Sequence, residues 1–109
     1  MNKIKEYKEK MFEDIKHIDE EGNEYWLARE LQSTLGYHQW RSINDLIVRA
    51  KVACKESKYN VDDHFAVQRK MIKLGKGGTR NINDYKLSRY ACYLIVQNGN
   101  SHMKVIALA

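Results

Sequence analysis

The sequence contains no proline, two cysteines and two phenylalanines in 109 residues. The absence of proline and the 43% hydrophobic content exclude a collagen-like or a proline-rich disordered chain. No apolar run approaches the roughly 20 residues of a membrane span, and MNKIKEYKEK at the start lacks the apolar stretch of a signal peptide. These absences predict a cytoplasmic protein with no membrane partner. At this length one hydrophobic core is expected, and therefore one domain over residues 1–109.

Metal and disulfide chemistry are poorly supported by the cysteines and histidines. Cys54 and Cys92 lie far apart without a CxxC pattern, so we expect two reduced thiols in the core. The four histidines fall in four different predicted segments and have no partner one helical turn away: His17, His38, His64 and His102. The sequence therefore predicts no metal and no cofactor.

The net charge of +5 hides an uneven distribution along the chain. Residues 1–37 carry six bases and nine acids, whereas residues 38–109 carry thirteen bases and five acids. Between Phe65 and Asn83 there is no acid, and the five bases there are Arg69, Lys70, Lys73, Lys76 and Arg80. Such a stretch predicts a surface that attracts polyanions. The alternative is an ordinary solvated surface.

Glycine positions and apolar spacing divide the chain into short elements. An amphipathic helix is predicted over residues 2–15, followed by two short strands about a turn at Gly22 and Asn23. Leucines four apart predict a short helix that ends at Gly36, and residues 38–58 have one apolar face typical of a long helix. The last predicted helices are residues 89–98, capped by Ser88 and closed by Gly99, and an incomplete one at residues 101–109.

The segment KLGKGGTR, residues 73–80, has two interpretations: a loop that wraps a nucleotide's phosphates or the tip of a basic hairpin. The phosphate-loop pattern GxxxxGK[ST] is absent, because Lys70 stands five before Gly75 and Lys76 is followed by glycine. The dinucleotide pattern GxGxxG fails at Arg80. The segment also joins two predicted strands, FAVQRKMIKL and NINDYKL, whereas phosphate loops lead into a helix. A hairpin tip is the favoured interpretation.

A short helix, a tight turn, a longer helix and a basic hairpin together resemble a winged helix. We therefore predict an α+β fold with four to five helices, a helix-turn-helix-like pair and two small β-hairpins. DNA is the predicted partner, held mainly through its phosphates by the hairpin. The candidate residues of the hairpin are Arg69, Lys70, Lys73, Lys76, Gly77, Gly78, Thr79 and Arg80. Candidates at the start of the long helix, where groove-reading side chains cluster, are His38, Gln39, Arg41, Ser42 and Asn44.

Two other functions remain open. In the first, the domain contacts a recombination or repair protein, and the basic tip meets an acidic partner. In the second, the acids of the segment DDHF, residues 62–65, bind Mg²⁺ for nuclease chemistry. Capping of a helix by Asp62 or Asp63, with His64 hydrogen-bonded nearby, is the simpler account of that segment. The sequence therefore predicts no enzyme, and it does not indicate an oligomeric state.

Three blocks of the sequence resemble one protein family. They are LSRYACYLIVQNG at residues 87–99, DDHF at residues 62–65 and RAKVAC at residues 49–54. The chain looks like the N-terminal part of bacterial DNA-damage-inducible protein D family members, which are related to the BRO N-terminal domain of viral and phage antirepressor-like proteins. Further matching positions are Trp26, Ala28, Arg29, Gly36, Tyr37, Trp40, Arg41, Gly75, Arg80, Asp84, Tyr85 and residues 104–107.

The resemblance implies a DNA-binding domain in a bacterial protein of the DNA damage (SOS) response, with no established catalytic activity. Family members continue past the segment VIALA with a further region, so we expect this chain to be an N-terminal fragment. Most of the matching positions are core or cap residues by their spacing. The resemblance therefore bears on the fold more than on individual contacts.

Overall fold

The structure, a computed structural model, describes residues 11–99. Four antiparallel strands form one sheet in the order β1-β2-β4-β3. The strands are β1 (His17–Ile18), β2 (Glu24–Leu27), β3 (Phe65–Lys73) and β4 (Thr79–Leu87). The helices are α1 (Ala28–Thr34), α2 (Trp40–Glu56), α3 (Val61–His64) and α4 (Arg89–Gln97). Residues 11–14 are also helical.

This architecture confirms the predicted α+β class and both predicted hairpins. The hairpins are joined in one sheet, because Trp26 of β2 pairs with Leu87 of β4. Of the helix predicted over residues 2–15, the described part begins at residue 11. The helix predicted at residues 101–109 lies outside the described residues.

Tightly packed aromatic and aliphatic side chains join the helices to the sheet. The rings of Phe12 and Trp26 stack with centroids 4.3 Å apart, and Trp26 Nε1 donates to the Phe12 carbonyl oxygen at 2.8 Å. The apolar stripe of α2 meets α4 from one side of the core, with Ile43, Ile47 and Ile95 fully buried. The helical spacing read from the sequence therefore describes the buried face correctly.

The predicted helix ends are also present. Ser88 Oγ accepts a hydrogen bond from the Ala91 amide at 3.0 Å, which satisfies a free donor in the first turn of α4. Gly36, two residues past α1, has a φ of +83°, a conformation that side chains with a Cβ rarely adopt.

Cys54 and Cys92 are free and buried, as predicted. Burial raises the pKa of both thiols, since the thiolate would lose its hydration. Within residues 11–99, no helix is both long and apolar enough to cross a membrane.

Candidate nucleic-acid interface

The β3–β4 hairpin extends past the rest of the sheet. We call residues 69–83 the arm: five residue pairs from Arg69 with Asn83 to Lys73 with Thr79, and the connecting residues 74–78. At a rise of roughly 3.3 Å per residue, five pairs extend about 15 Å. All residues from 71 to 81 are exposed. The arm is therefore open to a partner along much of its length.

The end of the arm is a compact turn that needs glycine. The Leu74 amide donates to the Gly78 carbonyl at 3.2 Å, and the Gly77 amide donates to the Leu74 carbonyl at 3.1 Å. Gly77 and Gly78 have φ values of +88° and +80°, which a residue with a Cβ adopts only with strain. The turn continues directly into β4, so it is a hairpin tip and not a phosphate loop, as predicted.

Side chains alternate between two faces of the arm. Six of them share one face, and all six are exposed. We call this set the open face: Arg69, Met71, Lys73, Thr79, Asn81 and Asn83. The other face carries Lys70, Ile72, Arg80 and Ile82. Of the five predicted cations, Arg69 and Lys73 thus lie on the open face, and Lys76 lies at the tip. Lys70 and Arg80 lie on the reverse.

Lys70 differs from the other cations because it has an internal partner. Its Nζ lies 3.2 Å from Oδ2 of Asp84 and forms an ion pair with it. Asp84 is fully buried, and its Oδ1 accepts from the backbone amides of Arg29 at 3.1 Å and Tyr85 at 2.8 Å. Asp84 is the one acid between residues 65 and 87. Its charge is therefore enclosed and compensated, and the exposed surface of the arm carries bases without acids.

The predicted residues at the start of α2 are mostly accessible. His38, Gln39, Arg41 and Ser42 are exposed, whereas Asn44 is half-buried. Trp40 is also half-buried, and the guanidinium carbon of Arg29 lies 4.1 Å from the centroid of its ring. Trp40 thus has protein partners and packs against the margin of the core.

The start of α2 and the base of the arm are in direct contact. The rings of Trp40 and Tyr85 stack with centroids 6.4 Å apart. Lys51 Nζ donates to Tyr85 Oη at 3.3 Å and lies 4.6 Å from the centre of that ring. Tyr85 pairs with Val67, so it points to the same side of the sheet as the open face. The N-terminal end of α2 and the open face therefore share one side of the molecule.

Several residues of this surface were missed by the sequence analysis. Asn81 and Asn83 stand opposite Met71 and Arg69 on the open face. Side chains alternate between the two faces of β4, so an assumed hairpin register would have predicted that both asparagines lie on the open face. The contacts of Arg29 with Trp40 and of Lys51 with Tyr85 carry no such signal, because each joins two separate elements whose packing is not set by local periodicity.

The acidic part of the domain lies at the opposite edge of the sheet, on and beside β1. Arg89 donates to the carboxylates of Glu13 and Glu24 at distances from 2.8 to 3.1 Å. These hydrogen bonds lower the pKa of both glutamates and raise that of Arg89. A shallow groove nearby is lined by three acids together with one base and two apolar or aromatic side chains: Asp19, Glu20, Glu21, Lys86, Ile18 and Tyr25. The charge asymmetry of the sequence thus becomes a separation in space.

The segment at residues 62–64 forms the short helix α3. Its cap is Asn60, whose side chain accepts from the Asp62 amide at 3.0 Å, so the expectation that Asp62 or Asp63 caps the helix is wrong. The expected hydrogen bond of His64 is present, between Nδ1 and Ser88 Oγ at 2.6 Å. Among residues 11–99 no three histidine, cysteine or carboxylate side chains are grouped so as to hold a metal ion.

Comparison with known proteins places the domain in a family. Residues 14–109 match the family described as "BRO family, N-terminal domain", and the chain belongs to that family. The chain is also 47% identical over 96 residues to DNA damage-inducible protein D of Escherichia coli (strain K12). The aligned part is 88% of this chain and 35% of that protein, so the chain spans about a third of this relative. No solved structure matches the chain. The resemblance found in the sequence is confirmed.

Proposed function

We propose that this domain binds DNA, in a bacterial protein that is induced by DNA damage as part of the SOS response. The observation that carries the proposal is the exposed arm, whose residues 69–83 include cations and no acid. The name of the 47% identical relative supports the link to DNA damage.

The arm contacts phosphates, because it combines charge with close backbone approach. Lys73, Lys76 and Arg80 present cations along and around the tip, and Gly77 and Gly78, which lack side chains, let a phosphate approach the backbone of the tip closely. Each phosphate neutralised by such a cation releases condensed counterions, and the resulting gain in binding affinity falls as the salt concentration rises. These contacts position the domain on DNA but carry no sequence information.

The start of α2 supplies the second contact, in the manner of a helix-turn-helix. Gln39, Arg41 and Ser42 are exposed there, with Asn44 beside them. Amide and guanidinium side chains are the ones that form paired hydrogen bonds with base edges in the major groove. The stacking of Trp40 on Tyr85 supports this proposal, because it fixes the helix start relative to the arm.

A salt series tests the phosphate contacts. Affinity for a labelled duplex is measured as salt is raised, for the parent and for the variant Lys73→Ala/Lys76→Ala/Arg80→Ala. We expect steep weakening for the parent and a slope shallower by up to about 3 in the variant. Parallel measurements on single-stranded and branched DNA show which form is preferred.

A matched control removes the same charge from another place. Arg49→Ala/Lys55→Ala/Lys58→Asn takes three exposed cations from the later part of α2 and the turn after it. Asn is used at residue 58 because Lys58 has a φ of +68°, which asparagine tolerates. If both triple variants change the slope equally, only net charge matters, and the arm is not the contact surface.

A protein partner is the second candidate, and one observation favours it. Val48 and Val52 lie one turn apart on α2 and are 52% and 53% exposed, and exposed apolar pairs of this kind occur at protein interfaces. On this alternative the domain acts on a recombination or repair protein. Val48→Ser/Val52→Ser would then weaken complex formation in a purified recombination mixture and leave DNA affinity unchanged.

We further propose that the domain itself is not a nuclease. The carboxylates of Asp62 and Asp63 are exposed on α3, and that helix is capped by Asn60. Incubation of the purified domain with supercoiled plasmid and Mg²⁺ or Mn²⁺ is the test. Nicking that disappears in Asp62→Asn/Asp63→Asn would establish the opposite.

A further inference from the structure

Apolar side chains stand exposed among the cations of the arm. Met71, on the open face, is 68% exposed, and Leu74, at the tip, is 44% exposed. Lysines stand close to both in the sequence: Lys70 precedes Met71, Lys73 precedes Leu74, and Lys76 follows Leu74 by two residues. A hairpin that served only to hold phosphates would have no use for apolar side chains at its far end, where they face water at a cost.

The charges around these side chains indicate the kind of surface that covers them. An apolar protein surface would have to accept the desolvation of the neighbouring lysines, whereas a polyanion attracts them. In DNA the apolar surfaces are the faces of the bases, and proteins reach them by inserting Met, Leu, Ile or Phe between base steps. The arm presents such side chains together with the cations that hold the flanking phosphates.

The width of the arm decides which DNA it fits. Paired strands lie about 4.8 Å apart before side chains are added, and the regular minor groove is only about 6 Å wide. The regular major groove, about 12 Å wide, admits a two-stranded ribbon, but its bases are stacked and their faces are covered. Where a bulge or mismatch interrupts the base stacking, the DNA duplex is locally open and base faces are uncovered. A protein side chain can then reach them at little further cost in unstacking.

We infer that the arm recognises duplex DNA whose base stacking is interrupted, with Met71 and Leu74 contacting the uncovered base faces. This inference rests on the proposed function and names its substrate class. Asn81 stands directly opposite Met71 in the register, and Asn83 lies on the same face. Their amides donate and accept hydrogen bonds, so they are placed to contact base edges next to the inserted methionine. Lys73 and Lys76 hold the phosphates on either side.

Two duplexes of the same sequence test the inference, one fully paired and one with unpaired adenines at its centre. We expect the parent to bind the bulged duplex about tenfold more tightly, equivalent to about 1.4 kcal/mol. In Met71→Gln/Leu74→Gln the preference should fall to near one, while affinity for the paired duplex is kept. Val48→Gln/Val52→Gln, which removes two exposed apolar side chains from α2, is the matched control and should keep the preference.

A fluorescent base gives a readout that affinity alone does not. 2-Aminopurine placed beside the bulge should brighten on binding of the parent, because insertion unstacks it, and should stay unchanged with Met71→Gln/Leu74→Gln. Equal affinity of the parent for both duplexes overturns the inference and leaves the proposed function standing. A preference that survives in Met71→Gln/Leu74→Gln overturns it as well. Absence of binding to either duplex overturns both the inference and the proposed function.

Discussion

The ring of Trp40, at the first residue of α2, stacks on the ring of Tyr85 in β4, with an angle of 21° between their planes. Arg29 and Lys51 place cationic groups against these rings, 4.1 Å and 4.6 Å from the respective centroids. This cluster joins the long helix to the base of the arm. The proposed DNA contacts of α2 and of the arm therefore both depend on this cluster.

The stacked pair should couple energetically. A double-mutant cycle with Trp40→Ala and Tyr85→Ala is expected to give a coupling of about 1 kcal/mol in the free energy of urea unfolding. The control cycle pairs Trp40→Ala with Tyr59→Ala, because the ring of Tyr59 packs on His64 and Tyr90. That cycle should be additive within about 0.5 kcal/mol. Equal coupling energies in both cycles would contradict a specific interaction between Trp40 and Tyr85.

The buried carboxylate of Asp84 should be one of the most costly side chains to remove. Asp84→Ala leaves the amides of Arg29 and Tyr85 without their acceptor and separates Lys70 from its partner, so we expect a loss of about 3 kcal/mol in stability. Asp84→Asn retains an acceptor and should lose less. Asp45→Ala, an exposed acid on α2, should change stability by less than about 0.5 kcal/mol. Urea midpoints measure all three, and similar values for Asp84→Ala and Asp45→Ala would refute the assignment.

The Arg89 cluster should make stability depend on acid pH. Hydrogen bonds from Arg89 lower the pKa of Glu13 and Glu24 in the folded state, so their contribution is complete above the ordinary glutamate pKa and is lost as pH falls through the lowered values. Both carboxylates are partly exposed, so solvent screening limits the contribution to about 1 kcal/mol.

The corresponding variant is Glu13→Gln/Glu24→Gln. Thermal unfolding should show it less stable than the parent at neutral pH, and the two proteins should converge at pH values below the lowered pKa values. Glu20→Gln/Glu21→Gln, in the β1–β2 turn, is the control and should follow the parent at all pH values. A difference from the parent that persists in strong acid would show that the glutamates act through packing rather than charge.

The start of α2 should govern sequence preference without affecting the salt dependence. Gln39→Ala removes an exposed amide and no charge. On the best-binding duplex selected from a random library, it should cost about tenfold in affinity, since good base contacts contribute about 1–3 kcal/mol. The slope against salt should not change. Gln97→Ala, at the end of α4, is the control. If Gln39→Ala ranks the DNA sequences in the same order as the parent does, Gln39 does not contact the bases.

The helices and the hairpin could be predicted from the sequence because each depends mainly on residues that are close together along the chain. The stripe of Ile43 and Ile47, the cap at Ser88 and the glycine tip at Gly77 and Gly78 each follow from residues within a few positions of one another. The error at α3 has the same origin. Asn60 competes with Asp62 and Asp63 for one cap position, and all three side chains suit it.

The sequence by itself determined the α+β class, the family, the helix faces and the basic arm without acids, since periodicity, glycine and charge act over short distances along the chain. Only the tertiary structure decided which cations remain available. It brings Lys70 to the buried Asp84, directs Lys73 and Arg69 to the open face, and stacks Trp40 on Tyr85. The ion pair and the stacked rings join residues 14 and 45 positions apart, and the open face depends on the register of the hairpin. Core packing and strand pairing determine these relationships, whereas local propensity does not.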